Sequence, residues 1–276
     1  MESVTFNCTT ITPMFLAGAD GRTPELRAPS IKGMMRFWWR AIVANADRAA
    51  MQVNEGELWG GSDESKGRSK VIVRVLNPLV RNNEKVSCNM LPHKNKAPMP
   101  AVNTGVKFSI CISSHSSESL DDGKKALKTA LLLGGFGKRS RRGYGSVQCD
   151  HWNFASPDDV LQFIIDILGE QFHINENKVK RKGITTARYP FIKEISLGGG
   201  FDNSNDVLTK IGNATHKHAD DALGYAHGKD RMASPIYVSV IKIGSKYHPI
   251  ITKLNPVFSR AMNNYEEKHN EFIGAI

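Results

Sequence analysis

Hydrophobic and polar positions follow two different periods in residues 1–152. Alternation with a period of two is typical of half-buried strands, whereas apolar residues three to four positions apart are typical of amphipathic helices. In chain order these patterns predict a strand at 4–11, a helix at 31–43, strands at 70–76 and 106–112, a helix at 120–133 and a strand at 144–152. This β-α-β-β-α-β order is that of the ferredoxin-like fold, which RNA-recognition modules share. The predicted fold class is therefore α+β, with ferredoxin-like (RRM-like) domains.

The second half of the chain has weaker patterns. They predict a helix that begins at Ser156 and Pro157, followed by a basic run at 178–182 and a loop-rich stretch to Gly200. After these come a predicted hairpin over 235–254, which turns at Gly244, and a closing helix over 256–272. We interpret these fragments as a second, degenerate ferredoxin-like α+β unit, without an exact repeat to support it. The expected organisation is two domains in tandem, 1–153 and 154–276.

Composition narrows the class of protein. The chain has 276 residues, of which 40% are hydrophobic, enough for a folded core. No apolar run approaches the roughly 18 residues of a membrane span, and the first residues lack the features of a signal peptide. The four cysteines form no C-x-x-C pair, so a disulfide framework and a zinc finger are both poorly supported. We expect a cytoplasmic protein with reduced cysteines.

The charge balance indicates an anionic partner. The 37 Lys and Arg residues exceed the 27 Asp and Glu residues, which gives a net charge of +10. Nucleic acid, an anionic membrane surface and a phosphorylated ligand all fit this excess. Because excess charge alone is weak evidence, the positions of the cations matter more than their number.

A glycine-rich basic segment at 134–145 is the most informative part of the sequence. Two G-x-G motifs flank five residues; the glycines are Gly135, Gly137, Gly143 and Gly145, and the cations between the motifs are Lys138, Arg139, Arg141 and Arg142. Glycines let a backbone turn through positive φ and approach a phosphate, while cations neutralise its charge. Phe136 and Tyr144 are candidates for stacking on bases. The alternative is a flexible, solvated loop between a helix and a strand.

Known nucleotide motifs do not fit this segment. A P-loop would need Gly at position 132 and Ser or Thr at 139, where Leu132 and Arg139 stand. A dinucleotide fingerprint would need Gly at Ser140, and a strand rather than a helix before it. ATP and NAD are therefore disfavoured, and we predict no cofactor.

The first predicted helix is a second candidate site. Ser30 is a plausible N-cap, and a capped helix start offers backbone N–H groups to a phosphate. Lys32, Arg36 and Arg40 recur every four residues on one face of the helix. Gly33 destabilises a helix, so its presence suggests that a ligand approaches the backbone closely there. The neighbouring Trp38 is expected in the core.

Metal binding and catalysis have little support. His216, His218, Asp220, Asp221 and His227 include metal-ligand types, but their spacing is not diagnostic. The first half has only His93 and His115, and no nucleophile–base arrangement can be argued. We predict neither a metal site nor catalytic residues.

Several segments resemble those of CRISPR RAMP proteins. Residues 11–19 (ITPMFLAGA) and 24–40 (PELRAPSIKGMMRFWWR) are similar to the N-terminal signature of that family, and most similar to the first RAMP subunit of type III-B Cmr effector complexes. Further similar segments are 58–62 (LWGGS), 67–71 (GRSKV) and 231–235 (RMASP). The glycine-rich segment resembles the glycine-rich loop of RAMP proteins in general.

The resemblance implies a role in antiviral defence. It implies ferredoxin-like domains and a place at one end of a ribonucleoprotein in which a CRISPR guide RNA pairs with a single-stranded target RNA. Such a subunit holds RNA near the 3′ region of the guide, beside other RAMP subunits and away from membranes, while another subunit cuts the target. Carried onto this chain, the expected RNA contacts are Ser30, Lys32, Gly33, Arg36 and Arg40, with Lys138, Arg139, Arg141 and Arg142 in the loop.

Two other functions remain open. RAMP-fold endoribonucleases that process CRISPR transcripts without a metal typically place a general-base histidine near the first helix, and this chain has no histidine before His93. A protein–protein cap with little RNA affinity of its own also fits the sequence. We expect RNA binding without catalysis.

Overall fold

The computed structural model describes residues 1–61, 67–91, 97–183, 185–259 and 262–276. In its first half the elements are β1 (Glu2–Thr10), α1 (Ala28–Val43), α2 (Arg48–Trp59), β2 (Ile72–Leu76), β3 (Lys85–Cys88), β4 (Met99–Val102), β5 (Lys107–Ser114), α3 (Ser117–Leu132) and β6 (Val147–Cys149). β3 and β4 pair as a separate hairpin, and the other four strands form one sheet.

The four-stranded sheet has the order β2-β5-β1-β6, with every pair antiparallel. Alternation places Phe6 and Ile110 in the core beneath α1 and α3, while Thr5 and Asn7 face outward. With β1, β2, β5 and β6 taken as strands one to four, this is the ferredoxin-like arrangement, and the predicted fold class is confirmed. The sequence patterns missed α2 and the β3–β4 hairpin, and the last strand is shorter than predicted.

The start of α1 differs from the prediction. The helix begins at Ala28, the N-cap is Arg27 without a side-chain cap, and Ser30 lies inside the first turn with its N–H bonded to the Arg27 carbonyl. Assigning Ser30 as the N-cap was therefore wrong. The reason is Pro29, which fits the first turn of a helix because its fixed φ suits the helix and it has no N–H to leave unpaired.

The second half contains α4 (Pro157–Leu168), β7 (Phe172–Asn175), β8 (Lys178–Arg181), β9 (Ile192–Leu197), α5 (Ser204–Lys217), β10 (Tyr225–His227), β11 (Asp230–Met232), β12 (Ile236–Ile243), β13 (Lys246–Leu254) and α6 (Tyr265–Gly274). The predicted start of α4 is confirmed by a capping box between Ser156 and Asp159. The predicted hairpin is β12–β13, which turns at Gly244. The closing helix is shorter than predicted, and the strands β7 to β11 and the helix α5 were missed.

The second sheet is a permuted version of the first. Its order is β12-β13-β9-β8-β7, all antiparallel. If the separate β10–β11 hairpin is left out, the elements β9-α5-β12-β13-α6 follow the ferredoxin-like order. The strand β8, which precedes β9 in the chain, occupies the place of the fourth strand. The second unit is degenerate in this sense, because a strand from earlier in the chain takes the place of its fourth strand. The domain boundary near residue 153 stays a prediction.

The two sheets meet along β12. The Gly143 N–H donates to the Val238 carbonyl at 2.8 Å, and the Val240 N–H donates to Ser146 Oγ at 2.9 Å. The Gln148 side-chain amide then bonds both backbone groups of Lys242, at 2.9 and 3.2 Å. The chain that leaves the glycine-rich segment thus runs beside β12 and satisfies its edge. One hydrophobic cluster continues across this junction and includes Trp38, which is fully buried as expected.

Candidate nucleic-acid interface

The cations of α1 form a stripe with a shared counterion. Glu55, on α2, accepts a hydrogen bond from Arg36 Nε at 2.9 Å and another from Arg40 Nη1 with the same oxygen, Oε1. Sequence reasoning missed Glu55 because it treated α2 as a loop. The signal was present: Asp47 caps the helix by accepting from the Ala49 and Ala50 N–H groups, and Met51 and Leu58 recur at helical spacing.

The α1 stripe keeps an excess of positive charge. The Arg36 and Arg40 side chains are 37% and 34% exposed, whereas Glu55 is 12% exposed, so two accessible guanidinium groups share one carboxylate. Partial burial lowers the pKa of Lys32, and the charge of Arg36 lowers it further. Because the charged form of Lys32 is disfavoured here, a bound anion would stabilise it.

Gly33 lies beside this stripe with open space around it. A Cβ at this position would meet nothing within 4 Å in the chain. Packing within the protein therefore does not require a glycine here. The expected close approach of an RNA backbone to Gly33 stays a prediction, as does a contact at the half-buried Ser30.

The glycines of the 134–145 segment serve contacts within the chain. Gly137, Gly143 and Gly145 have φ of +87°, +84° and +68°. A Cβ at Gly137 would overlap the Phe15 backbone, and one at Gly145 would overlap Phe136. Gly135 similarly packs on the backbone of the second G-x-G motif. The segment is thus pinned to its surroundings, unlike a flexible, solvated loop.

The aromatic residues of the segment are not available for bases. Phe136 is 1% exposed and Tyr144 is 4% exposed. Tyr144 packs on Phe15 with ring centroids 5.2 Å apart and donates its hydroxyl to the Asn89 carbonyl at 2.8 Å. The expectation that these rings stack on bases was wrong, because both fill the core where the segment folds back on itself.

The four cations of the segment divide into one outward pair and one inward pair. Lys138 and Arg139 are exposed. Arg141 lies over the rings of Phe37 and Tyr237, at 5.3 and 4.9 Å, and donates to the Ser234 carbonyl. Through Phe37, this stacking ties the loop to α1, the helix that carries the basic stripe.

Arg142 is the more buried of the inward pair. It donates to the carbonyls of Ile236 at 3.0 Å and Leu223 at 3.4 Å and to Ser234 Oγ at 3.1 Å, with its guanidinium 5.0 Å from the Phe272 ring. Burial lowers its pKa to about 10, and the charges of Arg139 and Arg141 contribute. The structure thus gives Arg142 a role in joining the two halves; contact between RNA and the inward pair stays a prediction.

The outer face of the first sheet offers no stacking platform. RNA-recognition modules place aromatic side chains on this face. Here the described outward positions carry Thr5 and Asn7 on β1, Ser109 and Cys111 on β5 and Arg74 on β2, none of them aromatic. The basic surface of α1 and the loop is therefore the better candidate for nucleic acid.

Two histidines of the second half lie beside different carboxylates. His218 lies 3.7 Å from Glu271, and His227 lies 3.1 Å from Asp221. Within the described ranges, no three His, Cys, Asp or Glu side chains converge as metal ligands. His93 lies outside the described residues, and His115 is exposed before α3. Of the helices that the structure describes, none has the length and apolarity to cross a membrane.

Comparison with known proteins identifies relatives over most of the chain. The RAMP superfamily model matches residues 7–148. The CRISPR system Cmr subunit Cmr1-1 of Pyrococcus furiosus is 26% identical over 274 residues, covering 83% of this chain and 80% of that protein. Subunit Cmr1-2 of the same organism is 28% identical over 182 residues, covering 54% and 95%.

Solved structures show the same fold. The crystal structure of Cmr1 from Pyrococcus furiosus in its apo form matches with a TM-score of 0.65 and 22% identity, over 98% of this chain and 96% of that one. A chain in the cryo-EM structure of the type III-B Cmr-beta bound to cognate target RNA matches with a TM-score of 0.66 and 12% identity, over 98% of both chains. At these identities the likeness concerns architecture.

The contrast between Arg142 and Arg139 predicts different effects on stability. Arg142→Ala should lower the free energy of unfolding by about 2–4 kcal/mol, because it leaves buried carbonyl groups without a donor. Arg139→Ala, at an exposed position, should change it by less than about 0.5 kcal/mol. Arg142→Lys should recover only part of the loss, since an ammonium cannot reproduce the planar fork. Urea unfolding of the three variants measures this, and equal midpoints for wild type and Arg142→Ala would contradict the joining role.

Proposed function

The chain belongs to the RAMP superfamily, and from that premise we propose that it is a non-catalytic RNA-binding subunit of a type III-B CRISPR (Cmr) effector complex. The observation that carries the proposal is the pair of basic groups formed by the α1 stripe and the outward loop cations, with Arg141 stacked on Phe37 of α1. The Cmr1 subunits among its relatives, and the RNA-bound Cmr complex among the structures of the same fold, support this assignment.

This surface is suited to binding the RNA backbone. The proposed contacts are Lys32, Arg36 and Arg40 on α1 with Lys138 and Arg139 on the loop, beside Ser30 and Gly33. Contacts between cations and phosphates add affinity without reading sequence. In an RNA-guided complex, base pairing between guide and target supplies the sequence specificity, so a backbone grip is what the protein must provide.

Within the complex, we place the subunit against guide or target RNA near the 3′ region of the guide, next to other RAMP subunits in the cytoplasm. Catalysis is not part of the proposal. No histidine occurs on α1, on α2 or in the 134–145 segment, so these elements supply no counterpart to the general base of RAMP-fold endoribonucleases.

A single gel experiment separates the three functions. The purified chain is mixed with end-labelled single-stranded RNA over a range of salt concentrations and analysed on native and denaturing gels. We expect a salt-sensitive mobility shift with intact RNA, because phosphate contacts release counterions. Shortened RNA in the presence of a chelator would instead support the processing endoribonuclease. If the RNA is neither shifted nor cleaved, the result would support the protein–protein cap.

Gly33 provides a test of the site. Gly33→Ala should raise the free energy of unfolding by about 0.5–1 kcal/mol, because alanine suits a helix better and the space for its Cβ is open. If RNA approaches the backbone there, the same substitution should reduce RNA affinity. Gly274→Ala, at another open helical glycine at the end of α6, is the matched control and should leave affinity unchanged. Unchanged RNA affinity in Gly33→Ala would remove Gly33 from the site.

A further inference from the structure

A cleft opens on the side of α1 that faces α2. It has a volume of about 870 Å³, and its described walls include Lys32 and Arg36 from α1, Gln52 and Glu55 from α2, and Arg68 from the chain that leads to β2. The buried Trp59 contributes to the same walls. The cleft thus adjoins the α1 stripe and adds two polar side chains, Gln52 and Arg68, that lie outside the contacts proposed above.

Among the described residues that line the cleft, positive charge exceeds negative charge. Three cations line it, and Glu55 is the one carboxylate among the described lining residues. Glu55 is already engaged by Arg36 and by Arg40 outside the cleft. Lys32 and Arg68 form no ion pair with any described residue. Among the described lining residues the cations thus outnumber the carboxylates by two, and the Gln52 amide is an additional neutral donor to an anion.

The backbone that carries Arg68 is held in place. Gly60, with φ of +76°, lets the chain after α2 pass close to residues 67–69, because a Cβ there would lie 2.8 Å from the Ser69 nitrogen. The Lys70 N–H donates to the Leu58 carbonyl at 3.0 Å, and Ser69 Oγ donates to the Val71 carbonyl at 2.7 Å. On the opposite wall, Glu55 orients Arg36. Because the backbone on both walls is already ordered, only side-chain freedom remains to be lost on binding, which favours a defined ligand position.

We infer that this cleft is a phosphodiester subsite, in which Arg68 and Gln52 act with Lys32 and Arg36 to hold a phosphate of single-stranded RNA. The inference rests on the proposed function, since it extends the RNA path from the α1 stripe towards β2. An RNA phosphodiester fits better than an isolated carboxylate, because neighbouring phosphates of the same strand can meet the remaining cations of the α1 stripe. Arg68 and Gln52 are therefore RNA-binding residues.

The test compares Arg68→Gln with Arg74→Gln in the full chain. Both arginines are exposed, but Arg74 lies on the outer face of the first sheet, where Val73 and Val75 point to the core instead. The probe is a single-stranded RNA oligonucleotide, with affinity measured over a range of salt concentrations. Arg68→Gln should weaken binding about fivefold and reduce the slope of log affinity against log salt by about 0.7, as expected for one lost phosphate contact. Arg74→Gln should change neither value.

A second variant keeps the result independent of total charge. Gln52→Ala, which leaves the net charge unchanged, should weaken binding without altering the salt slope. Thermal unfolding of each variant checks that the fold is intact. Equal losses in Arg68→Gln and Arg74→Gln, or no loss in Arg68→Gln and Gln52→Ala while wild type binds RNA, would overturn the subsite and leave the proposed function standing. Wild type that binds no RNA would overturn the proposed function itself.

Discussion

The contact between the glycine-rich segment and β12 determines how the two halves of the molecule sit together. Along this line the edge strand β12 meets Gly143, Ser146 and the short strand β6, and side chains of Ser146 and Gln148 supply bonds that the backbone of a partner strand would give. An unpaired buried edge would leave costly N–H and C=O groups. The positive-φ glycines let the segment approach closely enough to satisfy them.

The same contact sorts the cations of the segment. Arg141 and Arg142 turn inward because carbonyl groups before and within β12 accept hydrogen bonds from them, and because aromatic rings cover the faces of their guanidinium groups. Lys138 and Arg139 remain outside. Arg141 rests on Phe37, so the position of the loop relative to α1 is fixed before any RNA arrives. A preformed backbone grip loses less entropy on binding than one that must first be ordered.

The sequence predicted most of the first sheet and the residue groups of the basic surface, but not how each side chain is used. Periodicity found β1, α1, β5 and α3 because each has one apolar face. It could not show that Phe136 and Tyr144 fill the core, since glycines around an aromatic residue fit both a solvated loop and a tightly folded one. Nor could it separate Arg141 and Arg142 from Lys138 and Arg139, because the carbonyl groups that turn the first pair inward lie about ninety residues away in the chain.

Two further helices, α2 and α5, could have been predicted from their caps and the spacing of their apolar residues. Asp47 as a cap and the spacing of Met51 and Leu58 predict α2, and with it Glu55 opposite the α1 stripe. The α5 helix has the same kind of signal, with Asn203 as cap and Val207 and Ile211 on its buried face. The permuted second sheet is harder, because the place of β8 beside β9 depends on packing between segments and not on any local pattern.

The central claim, that α1 and the loop form one RNA-binding surface, is tested most directly by lysine footprinting. The chain is acetylated with and without single-stranded RNA, and the modification of Lys32, Lys138 and Lys107 is quantified by mass spectrometry. Lys32 lies on α1, Lys138 on the loop, and the exposed Lys107 on β5 serves as the reference. We predict that Lys32 and Lys138 lose reactivity over the same range of RNA concentration while Lys107 does not. Protection of Lys107 with Lys32 and Lys138 still fully reactive would contradict the account.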